Sequence, residues 1–116
     1  LYVANFDAAQ PIWVAYTLDA VGNVVSRRIF ADGSTEVAQG ALGLPDGLCI
    51  DEHGNVFASG PGGLYIFAPD GKRLGRIETG EFVSNCEFSE DGSTLYITSH
   101  RNVVRIRTNT PAAAPR

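Results

Sequence analysis

"DGLCIDEHGNVFASGPGGLYIF", residues 46–67, reads as three short strands parted by two turns. The apolar runs Leu48-Cys49-Ile50, Val56-Phe57-Ala58 and Leu64-Tyr65-Ile66-Phe67 are bounded by residues 51–55 and 60–63. Both boundaries are rich in the Gly, Asp, Asn and Pro that tight turns require. A second stretch, "SNCEFSEDGSTLYITSHRNVVRI", residues 84–106, lies on the first once one residue is inserted in the turn. Val56 then matches Leu95, 39 residues later. A period near ~40 with four short strands per unit is the signature of a β-propeller blade.

Working outward, strands are expected at 1–5, 12–18, 24–30, 47–51, 55–59, 64–67, 73–78, 85–89, 95–99 and 103–107. No long window carries a helical period. With strands lettered a to d from the axis outward, the order is b-c-d, a-b-c-d, a-b-c. The predicted fold is all-β, about two and a half blades of four-stranded antiparallel sheet over residues 1–107. The blades comprise residues 1–30, 45–78 and 83–107. The Pro/Ala-rich stretch 108–116 is expected to be a flexible tail. Because "LYVANF" opens already strand-like, the chain is expected to be the downstream part of a longer protein.

The composition fits this reading. The 116 residues are 44% hydrophobic with 13 glycines, which suits many short strands and tight turns. A net charge of −4, with nine scattered Lys and Arg, offers no electrostatic footprint for nucleic acid. No apolar run approaches the ~18 residues of a membrane-spanning helix. Cys49 and Cys86 sit in apolar strands without C-x-x-C spacing and read as buried structural thiols, not as a disulfide or nucleophile.

Strand alternation sorts the loops onto two faces. The a–b turns (51–55 and 89–92) and c–d turns (19–23 and 69–72) share one face. Their carboxylates, and His53, are expected to be solvated. The d–a and b–c loops share the other. The triplet Pro-Asp-Gly occurs twice, at 45–47 and 69–71, and the two copies fall on opposite faces. Asp70 belongs to a rim hairpin. Asp46 opens an innermost strand at the mouth of the central channel, where it either closes a turn or ligates a cation. Asn5, Asp7, Asn85, His100 and Arg101 share its face and are candidate channel-lining residues. Asn85 serves either the channel or the strand entry, and His100 with Arg101 either an anionic substrate or a plain surface loop. Trp13 and Tyr16 are expected to pack between blades.

"LPDGLCIDEHGNVF" followed by "GLYIFAPDGKRLGRI" and "SNCEFSEDGSTLYITS" resembles the downstream half of the SMP-30/gluconolactonase/LRE family, the regucalcin-like lactonases. The resemblance implies a six-bladed propeller that hydrolyses sugar lactones such as gluconolactone at a divalent metal in the channel (Ca²⁺, Zn²⁺, Mg²⁺ or Mn²⁺). It implies metal ligation by a Glu, an Asn and the Asp of the Pro-Asp-Gly block, and substrate binding by a further Asn. Asp46 matches the Asp position, as metal ligand and general base. The other positions would precede Leu1, so the isolated chain is expected to be inactive. The alternative is a non-catalytic propeller serving as an interaction platform, or an inactive fragment. Open sheet edges would allow self-association.

Overall fold

A computed structural model describes residues 1–114. Ten strands and one short helix follow the chain: β1 (Tyr2–Ala4), β2 (Ile12–Leu18), β3 (Val24–Asp32), α1 (Ser34–Ala38), β4 (Leu48–Ile50), β5 (Val56–Gly60), β6 (Gly63–Phe67), β7 (Arg73–Ile77), β8 (Val83–Phe88), β9 (Thr94–Ser99) and β10 (Asn102–Arg107). They form three antiparallel sheets, β1-β2-β3, β4-β5-β6-β7 and β8-β9-β10. One four-stranded blade therefore stands between two three-stranded ones, the grouping that the repeat predicts. The helix is the departure. Its five residues are too few to show a 3.6-residue period, and the Asp32 carboxylate starts it by accepting the Ser34 N–H at 2.8 Å.

The middle blade is covered on both faces, which explains why β5 is buried at every position. Successive side chains of a strand point to opposite faces. Val56, Ala58, Tyr65 and Phe67 accordingly meet Trp13 and Phe30 of the first sheet. Phe57 and Leu64 turn the other way, onto Val83, Cys86, Phe88, Leu95 and Ile97 of the last. Trp13 packs against Tyr65 and Phe67 with ring centroids 5.4 and 5.3 Å apart. Gly60 leaves the space its ring occupies. The outer faces of the two end sheets lack such cover: Val25, Ile29 and Val103 are largely exposed.

The turns on one face repeat a single piece of chemistry. In Asp19–Asn23 and again in Asp51–Asn55, one aspartate oxygen accepts the N–H groups two and four residues on, and the other accepts the Asn side-chain amide. Gly22 and Gly54 supply the positive φ of 93° and 80° that closes each turn. Asp91 does the same work with Ser89 and Ser93.

Asp51 corrects the expectation that all these carboxylates are solvated: it is buried, because the C-terminal stretch lies across it. Thr110 donates its hydroxyl to Asp51 Oδ2 at 2.9 Å, and Ala112 bridges antiparallel to Asp51. Backbone bonds run from Glu52 N to Pro111 O and from Ala113 N to Ile50 O, both 3.0 Å. The stretch expected to hang free is thus tied to the inner edge of β4 as far as Ala113. The last two residues of that expected tail, 115 and 116, lie outside the described residues. Glu52 and His53 are exposed as expected.

Acid sensitivity follows from these turns. Hydrogen bonds from Asn23 hold Asp19, and those from Ser34 hold Asp32, below the ordinary carboxylate value of 3.8. The Ser89 hydroxyl and the Ser93 N–H bring Asp91 down to about 2. Burial alone would push Asp51 up, but the donors of Asn55, Thr110 and His53 outweigh it and the net direction is down. A carboxyl depressed in the folded state stabilises the fold above its unfolded pKa, and that contribution fades as protons bind the folded form. The melting temperature should therefore hold steady down to about pH 4 and fall from there towards pH 2. Thermal melts across that range check this, and a flat profile would contradict it.

Candidate functional site at the Asp46 face

Asp46 is exposed at the end of the long connection from β3, just before β4. Each of the other aspartates takes the backbone N–H of the residue two positions on: Asp7 from Ala9, Asp19 from Val21, Asp32 from Ser34, Asp51 from His53, Asp70 from Lys72, Asp91 from Ser93. Their oxygens are committed to closing turns. Among the described residues, none donates a hydrogen bond to the Asp46 carboxylate, so its oxygens remain open to a ligand.

The two Pro-Asp-Gly triplets differ in their glycines as well. Gly71 has φ +92°, the left-handed turn conformation that glycine adopts without cost. Gly47 is not among the positive-φ glycines. It is small because the Asn85 side chain and backbone lie where its β-carbon would stand. There Gly47 N donates to Ser84 O at 2.8 Å, joining the entries of β4 and β8. The buried Ser59 hydroxyl sits within bonding distance of both Gly47 O (3.1 Å) and Ser84 O (3.2 Å). The 69–71 copy closes a hairpin whose carbonyls receive Arg28 of the first sheet, and the 45–47 copy joins the entries of β4 and β8.

Asp46 forms part of a cleft of about 340 Å³ whose walls are mostly apolar: Phe6, Leu44, Phe82 and Val83, with Ser84 beside them. All three sheets contribute through their connecting loops. A larger concavity, about 620 Å³, lies between the first sheet and β4 and includes Tyr2, Tyr16, Arg27, Arg28 and Ile50. No carboxylate lines it among the described residues.

Asn5, Asp7, Asn85, His100 and Arg101 do not line the Asp46 cleft themselves. Asn85 overhangs Gly47 next to Asp46, while its Oδ1 accepts the Cys86 N–H at 2.9 Å. Asn5 donates its side-chain amide to Gln10 O and Asp7 closes the same loop, so both support the neighbouring Phe6. His100 packs its ring 4.9 Å from that of Phe82 and holds the single non-glycine positive φ, 50°, among the described residues. Arg101 is exposed beside it. Phe6, Leu44 and Phe82 escape a reading of the sequence because they lie in irregular connections with no period. Their one signal is adjacency to Asn5, Asp46 and Val83.

A hard divalent cation takes six or more oxygen ligands. Asp46 suits such a cation in kind, as an unpartnered carboxylate. Among the described residues, however, no three His, Cys, Asp or Glu side chains come together as a ligand set.

Three antiparallel sheets stacked as blades define a partial β-propeller, and comparison with known proteins narrows this further. Residues 1–101 match the family model described as the SMP-30/gluconolactonase/LRE-like region, and the chain belongs to that family. It is 54% identical over 114 residues to a gluconolactonase of Zymomonas mobilis, covering 95% of this chain and 32% of that protein. Among solved structures, a gluconolactonase of Xanthomonas campestris matches with 30% identity and a TM-score of 0.75, over 96% of this chain and 33% of that one. A luciferin-regenerating enzyme shares the fold at 18% identity and a TM-score of 0.78, over 97% of this chain and 43% of that one. The chain thus spans about a third of the length of the gluconolactonases it matches.

Proposed function

We propose that these residues form one segment of a lactone-hydrolysing propeller, and that Asp46 is the carboxylate the segment brings to the reacting centre. The observation that carries this reading is the uncommitted Asp46 carboxylate, set in a cleft where three blades meet. The coverage of the relatives supports the view that further blades complete the ring. So do the bare apolar faces at Val25, Ile29 and Val103, which suit the packing of neighbouring blades.

The chemistry asked of Asp46 is modest. An ionised carboxylate beside the lactone carbonyl can take the proton of an attacking water, provided the water is held within hydrogen-bond reach. Where further blades close over the cleft, apolar walls of this kind would exclude bulk water and raise the value of each charge there. Gly47, Ser59 and Ser84 fix the strand entry from which Asp46 projects, and so hold the carboxylate in place. A divalent cation bound there, with its remaining ligands drawn from outside the segment, would supply Lewis-acid stabilisation of the developing oxyanion.

Supplied alone, with or without Ca²⁺, Mg²⁺, Mn²⁺ or Zn²⁺, the 116 residues should hydrolyse gluconolactone no faster than buffer. Exchanged for the matching third of the Zymomonas mobilis gluconolactonase, they should sustain hydrolysis. Turnover by the isolated chain, or a folded but inactive chimera, would contradict the proposal.

A further inference from the structure

Cys49 lies in β4 and Cys86 in β8, the innermost strands of neighbouring blades. They are 37 residues apart in sequence, yet their sulfurs stand 3.2 Å from one another, both buried. The Cys86 thiol also points at Phe57 O, 3.4 Å away. The backbone is already registered above them, because the Gly47–Ser84 bond lies two residues earlier on each strand.

We propose that Cys49 and Cys86 are a closable dithiol, forming a disulfide between blades when a small disulfide oxidant is available. This inference stands on strand geometry and is independent of the lactonase reading. A disulfide S–S bond is roughly 2.05 Å long, so the sulfurs need to approach by about 1.2 Å in total. Side-chain rotation shared between two residues can supply much of that. In the exchange, one cysteine thiolate attacks the oxidant's disulfide and releases one oxidant thiol. The second cysteine thiolate then attacks the mixed disulfide and releases the other. Two protein thiols become one disulfide, and one oxidant disulfide becomes two thiols.

Access decides when this happens. The hydrogen bond to Cys86 and burial both push the Cys49 thiol up, so little thiolate forms in the folded state. Closure is therefore fast during folding and slow afterwards. Once closed, the link ties Asp46's strand to β8 directly below the Gly47–Ser84 junction.

The test is made on the whole chain in two arms. In one, the reduced, denatured protein refolds in glutathione disulfide. In the other, the folded reduced protein is treated with the same glutathione disulfide at the same temperature. Tryptic mapping without reduction should show residues 29–72 joined to residues 77–101, with a loss of about 2 Da from the intact mass. The refolding arm should close at least about tenfold faster. The linked protein should melt roughly 5–15 °C higher than the reduced form. Absence of the linked peptide in both arms would overturn the proposal. So would oxidation that yields only glutathione adducts or links between separate chains. Because the map reads the native cysteines, the result does not hinge on whether a cysteine variant folds.

Discussion

Asp51→Ala is expected to lower the stability of the fold by about 3 kcal/mol, as the loss of a buried, charged hydrogen-bond acceptor requires. The carboxylate receives the N–H groups of His53 and Asn55, the Asn55 side chain and the Thr110 hydroxyl. Alanine leaves these donors unsatisfied in a place where water is largely excluded. It also unfastens the 110–113 stretch from β4. Two measurements check this: the urea midpoint, and hydrogen exchange at Ala113 N, which donates to Ile50 O. Asp19→Ala is the matched control, because the same turn chemistry stands there in solvent. A loss at Asp19 as large as that at Asp51 would mean that the covering stretch contributes nothing.

The second large effect concerns activity. In a full-length propeller carrying this segment, Asp46→Ala is expected to reduce kcat/KM for gluconolactone by at least about a thousandfold, the scale on which a general base or its equivalent acts. The fold should be little affected, since among the described residues none hydrogen-bonds to the Asp46 carboxylate. Unfolding curves of the variant and the unaltered protein should nearly coincide. Loss of activity accompanied by loss of stability would point to a structural role instead.

Much of this was legible in the residues, for physical reasons that differ from feature to feature. The ten strands appear near their expected positions because each is bounded by turn residues that cannot continue a ladder. The grouping into three sheets follows from the repeat that matches Val56 to Leu95, both of which are fully buried. Asp46 stood out from Asp70 because strand alternation assigns their loops to opposite faces. Asp51 was misread because the group that buries it, Thr110, comes 59 residues later and from a stretch with no strand pattern. The Cys49–Cys86 contact was only half legible: the repeat puts both in innermost strands of neighbouring blades, but the pattern does not say that their side chains face each other. The apolar walls of the cleft come from connections without periodicity, which pattern reading passes over.

The most direct measurement compares Asp46→Asn with Asp70→Asn in the same full-length propeller. Each removes one negative charge from a Pro-Asp-Gly triplet and keeps the side chain's shape. Among the described residues the Asp70 carboxylate accepts the local Lys72 N–H at 2.8 Å, a bond the asparagine oxygen retains, and the Arg28 contact to Asp70 is to its backbone carbonyl. Steady-state hydrolysis of gluconolactone should collapse in the first variant and stay within about twofold of the unaltered enzyme in the second. Equal losses in the two, or an Asp46→Asn enzyme that keeps its activity, would contradict the assignment of Asp46 to the reacting centre.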